Sequence, residues 1–286
     1  MTQTMNRVGV VGCGLMGAGI AEVCAKTGYT VIVREVNRDL MEAGIARIRG
    51  SMDRAVTKGK LAADDRDAAA ARIIGTTDLH AFDACDLIIE AAGENLDLKR
   101  KIFAELDVVA PPHAILASNT SSLAITDMAA ATRRPDKVLG LHFMQPVPVM
   151  MLLEMVRTFL TSEETFQAAR AFGESLGKTI IVSQDTPGFI VNRLLIPYLL
   201  QAIEALERGV ATKDDFDTGI RLGLGHPMGP FTLLDFVGLD TTQFIADAVF
   251  EETKDPRFAA PPLLRRMVSA GYLGKKSGKG FYDYSK

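Results

Sequence analysis

Val8-Gly9-Val10-Val11-Gly12-Cys13-Gly14-Leu15-Met16-Gly17 decides how the rest of the chain is read, because a strand-like apolar run passes straight into glycines spaced G-x-G-x-x-G. The spacing alone is weak evidence, and its context strengthens it. A helical pattern follows over residues 18–26, Gly28 offers a helix stop, and a second strand pattern ends at Glu35, 18 residues beyond Gly17. In such a unit the first glycine makes a tight turn, the second lets backbone approach a pyrophosphate, and the third lets helix and sheet pack closely. The free N–H groups and dipole at the helix start then favour an anion. Gly12, Gly14, Leu15, Met16 and Gly17 are therefore the expected dinucleotide-binding turn. Glu35 stands where an acid accepts hydrogen bonds from the adenosine ribose, and a carboxylate there repels a 2′-phosphate, so NAD is expected over NADP. Arg34 and Arg38 flank Glu35 and are the residues that would receive such a phosphate instead.

Outward from this unit, β-branched runs at 7–11, 30–33, 86–90, 114–117, 138–142, 152–157 and 179–182 alternate with helical patterns. That alternation predicts a mostly parallel sheet covered by helices. Between the second and third of these runs, residues 39–72 carry Leu40, Ile45, Ile48, Met52 and Val56 at helical spacing. A simple crossover does not need that length, so a helical hairpin standing off the sheet is expected. Beyond Asp185-Thr186-Pro187-Gly188 no strand run appears, and 189–208, 213–222, 231–237, 241–253 and 262–270 read as helices, the first kinked at Pro197. The expected fold is a doubly wound α/β domain over 1–184, followed by a smaller all-α domain over 185–286.

The 286 residues suffice for two cores, and a composition 48% hydrophobic and 23% charged is that of an ordinary globular protein. A net charge of -3 gives no electrostatic case for nucleic acid or a membrane surface as partner. No stretch approaches the ~18 consecutive apolar residues of a membrane span. The opening residues lack the pattern of a signal or transit peptide, so a reducing cytoplasm is the expected compartment. Cys13, Cys24 and Cys85 are odd in number and scattered, which predicts neither a disulfide framework nor a metal site. His80, His113 and His226 are read as structural.

The chemistry-bearing stretches come later: Ala117-Ser118-Asn119-Thr120-Ser121-Ser122, then Gly140-Leu141-His142-Phe143, Pro146-Val147-Pro148-Val149 and Leu153-Glu154. An imidazole, with an ordinary pKa of about 6.5, suits proton removal at neutral pH. His142 ends a predicted strand on the carboxyl side of the sheet, where open α/β sheets bind ligands. Glu154 lies across the turn at Pro146–Pro148, where a returning strand would bring it to the ring, fix its tautomer and stabilise its cation. Ser121 and Asn192 are small neutral donors suited to polarising an oxygen. For Ser121, and for Ser122 beside it, the plainer reading is capping of a helix over 123–130. Asn192 lies in an apolar helix, where an unsatisfied amide is costly.

With the glycine turn, these stretches and Asp185-Thr186-Pro187-Gly188-Phe189-Ile190-Val191-Asn192-Arg193 resemble the L-3-hydroxyacyl-CoA dehydrogenase family in its stand-alone two-domain form, from about Arg7 to Tyr284. The resemblance implies NAD-dependent oxidation of a short-chain (S)-3-hydroxyacyl thioester, such as 3-hydroxybutyryl-CoA, in fatty-acid and butanoate metabolism. It implies His142 as catalytic base with Glu154 as its partner, and Ser121 and Asn192 on substrate oxygen and bound ligands. Glu94 and Lys99 match positions near the nicotinamide half of the cofactor; their plainer reading is a pair on a solvated helix. Ser51 and Lys58 match contacts to the coenzyme A nucleotide, with Lys60 close enough to replace Lys58. Lys276 matches a cofactor contact. The all-α domain is implied to form a homodimer and to contribute to a substrate cleft, and Leu194, Leu195, Leu199, Leu233, Leu234 and Phe236 supply apolar helical faces for that contact.

One position departs from the pattern. The family reads His-Phe-Phe-Asn-Pro, and this chain has His142-Phe143-Met144-Gln145-Pro146. Gln145 keeps the amide of a residue that contacts substrate and cofactor but adds a methylene, in a site whose geometry matters to about 0.5 Å. Two other readings follow from the same residues: a non-catalytic NAD-binding protein on this fold, and a dehydrogenase of free 3-hydroxy acids. The latter needs a cation near the reaction centre, whereas Ser51 and Lys58 are spaced for a coenzyme A tail.

Overall fold

In a computed structural model, which describes residues 5–285, the strand that opens the fingerprint is β1 (Arg7–Val11). The opening four residues, part of the stretch read for a targeting signal, lie outside the described residues. Both faces of β1 are covered. Val8 and Val10 enter a core shared with α1 (Leu15–Thr27), while a Cβ at Gly9 on the opposite face would meet the Phe82 ring at 2.8 Å. Helix α1 lies close to the sheet because its inner positions are small: Gly17, Ala18, Ala21, Cys24 and Ala25 are all buried. Gly28 ends it at φ 112°, a left-handed conformation that costs glycine nothing.

The remaining strands are β2 (Thr30–Arg34), β3 (Ile73–Thr76), β4 (Leu87–Glu90), β5 (Ile115–Ser118), β6 (Val138–Phe143), β7 (Leu152–Arg157) and β8 (Thr179–Gln184). They form one eight-stranded sheet in the order β3-β2-β1-β4-β5-β6-β7-β8. All neighbours are parallel except β6 and β7, which pair antiparallel. The chain leaves β1 toward β2 on one side and returns to β4 on the other, and that reversal opens a crevice at the carboxyl ends of β1 and β4.

Residues 39–72 do form a helical hairpin, α2 (Arg38–Thr57) and α3 (Ala63–Ala71). Asn37 caps α2 by accepting from Leu40 N at 2.9 Å, and Ile48 and Met52 are its apolar anchors, whereas Leu40 is exposed. Strand β3 follows directly and escapes a reading by apolar runs, since its four residues include Gly75 and only two large apolar side chains. At Gly75 a side chain would collide with Met41 of α2. Helices α4 (Leu96–Val109), α5 (Ile125–Ala129) and α6 (Glu163–Ser175) complete this part.

The chain divides into two compact units at Thr186–Pro187. The second is helical: α7 (Val191–Glu207), α8 (Lys213–Leu224), α9 (Pro230–Val237), α10 (Leu239–Thr253) and α11 (Pro262–Ser269). Pro197 sits inside α7 without ending it. This unit has its own core, in which Leu199, Leu200, Ile203, Phe231, Leu234 and Phe258 are nearly inaccessible. At about 1.5–3 kcal/mol for each large apolar side chain removed from water, that core is the unit's main favourable term. Two buried acids stitch its ends: Asp217 accepts from the first N–H groups of α9, and Asp235 accepts from Phe281 N and Tyr282 N of the tail. Among the described residues no helix is long and apolar enough to cross a membrane, and no group of three or more His, Cys, Asp or Glu is placed to hold a metal ion.

Candidate active site

The glycine turn has the shape of a cradle for a dinucleotide phosphate. Gly12 adopts φ 88°, and a Cβ there would stand 2.8 Å from the Ala91 carbonyl oxygen after β4, across the crevice. A Cβ at Gly17 would run into the Gly12 carbonyl, so the third glycine is what lets α1 start so close to the turn. Gly14 differs: nothing lies within 4 Å of where its Cβ would be, which leaves open backbone at the helix N-terminus for an anion. Glu35 sits beside this turn, accepting from Cys13 N at 2.6 Å and from Val36 N at 3.1 Å. Arg38, the alternative reader of a 2′-phosphate, is engaged by Glu42 at 2.6 Å. Arg47 of α2 donates to the Cys13 carbonyl at 2.7 Å and so ties the hairpin to the turn. Burial, with Glu35 adding to it, pushes the Cys13 thiol up to about 12, which removes it as a nucleophile. These features fit NAD.

His142 and Glu154 occupy facing positions of the antiparallel β6–β7 pair. Their side chains meet at 2.7 Å, Nδ1 to Oε2, with the ring 7% exposed and the carboxylate not exposed at all. A carboxylate on Nδ1 selects the tautomer that carries its proton there and turns Nε2 toward a substrate. Two contacts hold the frame. Asn119 Oδ1 accepts from Phe143 N at 2.9 Å, fixing the strand end that carries His142. The buried ammonium of Lys178, immediately before β8, donates to the carbonyls of Val147 and Met150 in the β6–β7 connection, both at 2.7 Å. Burial lowers the Lys178 pKa.

Between the glycine turn and His142, the ends of β4 and β5 carry a buried polar cluster. Lys99, from the first turn of α4, is 1% exposed. Its ammonium lies 2.7 and 2.8 Å from the two oxygens of Glu90 and 3.1 Å from Glu94. Glu90 also accepts from Ser118 Oγ and Ala92 N, each at 2.7 Å. The other Glu94 oxygen accepts from Thr120 Oγ1 at 2.5 Å, Ser121 N at 2.8 Å and Ser121 Oγ at 3.3 Å. Glu94 and Lys99 are thus no solvated helical pair; Glu94 precedes the helix and Lys99 is buried. Removing one partner of such a buried pair leaves an uncompensated charge, at about 3–5 kcal/mol.

The plain reading of Ser121 and Ser122 as helix caps is corrected. Helix α5 begins at Ile125, and Asp185 accepts from Ile125 N at 3.0 Å and Thr126 N at 2.7 Å, so a carboxylate sixty residues away in sequence caps it. Ser51 lies half-buried within α2, and Lys58 is exposed at that helix's C-terminal cap. Gln145 is exposed in the β6–β7 connection. In the second unit Asn192 is buried in the first turn of α7, and Lys276 pairs with Asp240 at 2.6 Å. Sequence reasoning missed Glu90, Asn119 and Lys178. The one visible signal was Glu90 itself, an acid closing the apolar run Leu87-Ile88-Ile89.

Residues 7–186 match the model of the 3-hydroxyacyl-CoA dehydrogenase NAD binding domain, and 188–284 that of the 3-hydroxyacyl-CoA dehydrogenase C-terminal domain. The chain is 52% identical to a 3-hydroxybutyryl-CoA dehydrogenase of Mycobacterium tuberculosis, over 99% of this chain and 100% of that one. It is 47% identical to the human mitochondrial hydroxyacyl-coenzyme A dehydrogenase, over 98% and 91%. Among solved structures, the (S)-3-hydroxybutyryl-CoA dehydrogenase of Ralstonia eutropha superimposes with a TM-score of 0.94 at 43% identity, over 99% and 100%.

Proposed function

This chain belongs to the 3-hydroxyacyl-CoA dehydrogenase family, and from that premise we propose that it interconverts (S)-3-hydroxybutyryl-CoA and its 3-keto thioester with NAD, using His142 as base and acid. The observation that carries the proposal is the buried 2.7 Å contact between His142 and Glu154, on the same sheet edge as the glycine cradle. NAD, when bound, supplies the two-electron acceptor. Gly12, Gly14, Leu15, Met16 and Gly17 would hold its pyrophosphate, and Glu35 its adenosine ribose. In the oxidation His142 Nε2 takes the proton of the 3-hydroxyl, and the Glu154 carboxylate stabilises the imidazolium that results. In the reduction the same nitrogen returns the proton. On the family pattern, Ser121 and Asn192 are each assigned to hydrogen bonds with the substrate oxygen or bound ligands, as small neutral donors.

Glu94, Lys99, Gln145 and Lys276 are assigned to the cofactor on the strength of the family pattern, and Ser51 and Lys58 to the coenzyme A nucleotide. The position of Lys58 at the end of α2 supports this last role, since an exposed ammonium there is available to a phosphate. A homodimer through the helical unit is supported by the exposure of Leu194, Leu222 and Phe236. A reducing cytoplasm agrees with three buried, unpaired thiols.

The test is turnover with NAD+, followed as NADH formation, on 3-hydroxybutyryl-CoA beside free 3-hydroxybutyrate. Turnover of the thioester alone is expected. Preference for the free acid would reject the coenzyme A assignment, and no turnover of either would reject catalysis.

A further inference from the structure

We propose that Glu90 sets the preference of the cofactor site between oxidised and reduced NAD, by making the buried cluster at the ends of β4 and β5 carry one more negative than positive group. The proposal rests on the reading that NAD lies along the carboxyl edge of the sheet. Across that edge the order is Glu35 after β2, the glycine turn after β1, Glu90 ending β4, Ser118 ending β5, and His142 near the end of β6. A dinucleotide with its adenosine ribose on Glu35 and its pyrophosphate on α1 must cross the ends of β4 and β5 for its ring to reach His142. The group lying beneath that stretch is the Glu90–Lys99–Glu94 cluster.

Its charge is uneven. A single ammonium, Lys99, serves two carboxylates, with Glu90 at 2.7 and 2.8 Å and Glu94 at 3.1 Å. The next cation on α4, Arg100, is already matched by Asp97 at 3.5 Å and Asp127 at 3.0 Å. Glu90 and Lys99 are withdrawn from water, at 0% and 1% exposure, so solvent screens their field weakly. The four short hydrogen bonds that Glu90 accepts all come from neighbouring chain atoms, which makes its charge a fixed feature of the site. The nicotinamide ring is cationic in NAD+ and neutral in NADH. An unmatched negative charge beneath it holds the oxidised form more tightly and leaves the reduced form nearly untouched. During oxidation of the alcohol the ring charge is lost, so the same field biases the bound equilibrium toward reduction of the ketone.

The experiment measures NADH affinity by fluorescence titration of the full chain, and NAD+ affinity by displacement, in the wild type, Glu90→Gln and Glu94→Gln. Each substitution removes the excess charge, and the ratio Kd(NAD+)/Kd(NADH) is expected to rise about five-fold or more in both. A damaged pocket weakens both forms together and leaves the ratio alone, so the ratio separates charge from packing. Should Glu90→Gln fail to fold, Glu94→Gln decides alone, because its side chain lies outside the helix and the Glu90–Lys99 pair is retained. Variants that bind both cofactors at the wild-type ratio overturn this proposal and leave the assigned function standing. A wild type that binds neither cofactor overturns both.

Discussion

The proposed base role of His142 draws on the residue facing it, because a nearby anion stabilises a buried imidazole that takes up a second proton. His142→Gln is therefore expected to keep NADH affinity within about two-fold while lowering kcat about 100-fold or more, as loss of a general base does. Glu154→Gln keeps the hydrogen bond and loses the charge; its kcat should also fall, with the deficit smaller than for His142→Gln. Wild-type kcat in either variant would show that the proton goes elsewhere. Gln145 poses a different question. It is exposed on the β6–β7 connection, whose neighbouring carbonyls are held by Lys178, so its amide is presented from a restrained backbone. A pocket adapted to the longer arm should lose kcat/KM on 3-hydroxybutyryl-CoA when Gln145→Asn shortens it, by about ten-fold if ~1.4 kcal/mol of positioning is lost. Kinetics on four-, six- and eight-carbon thioesters check this, and a gain at every chain length would refute adaptation.

Among the elements, the junction of β1 and α1 does most to place the cofactor site. Its third glycine is required by clearance rather than flexibility, since a side chain at Gly17 would strike the Gly12 carbonyl. Gly17→Ala should push α1 away from the turn, lowering NADH affinity more than ten-fold and stability by about 1–3 kcal/mol, the usual cost of overpacking. Fluorescence titration and thermal melting read the two effects, and unchanged NADH affinity would mean that the helix start is not where the phosphates bind. The β6–β7 hairpin works by register. A one-residue slip would turn Glu154 to the opposite face of the sheet from His142, so pairing against the parallel neighbours β5 and β8 helps to hold the His142–Glu154 contact. Helix α5 is short and lacks a cap of its own, and Asp185 stabilises its start from the far end of the unit. No local pattern announces that contact.

For the whole molecule, the apolar faces expected to join two copies are divided by the structure. Leu199 and Leu234 are fully buried in the core of their own unit and are removed from any interface, while Leu194 and Phe236 are 72% and 52% exposed. Leu222 and Leu224, at 74% and 64%, extend the exposed apolar set. A unit of this size that leaves such side chains in water has surface to bury on association. Light scattering at micromolar concentration should give about twice the 30.9 kDa chain mass, and a single-chain mass would reject the dimer. Leu194→Glu, exposed and outside the core, should then shift the protein toward monomer without lowering its melting temperature sharply.

From residue order alone came the fold class, the position of the dinucleotide turn, the helical hairpin and the pairing of His142 with Glu154. Each follows from local rules: glycine spacing after a strand, a period of two giving way to one near 3.6, and a turn that returns one strand beside another. Tertiary structure alone decided where long-range polar contacts fall. Lys99, by local pattern alone, could equally be a solvated helical cation, yet it is buried because the ends of β4 and β5 bring Glu90, Ser118 and Glu94 around it. Lys178 and Asp185 likewise take roles from partners about thirty and sixty residues distant. A buried charge is tolerable only where the fold assembles its partners, and that condition is set by strand order and register, which no single stretch of chain contains.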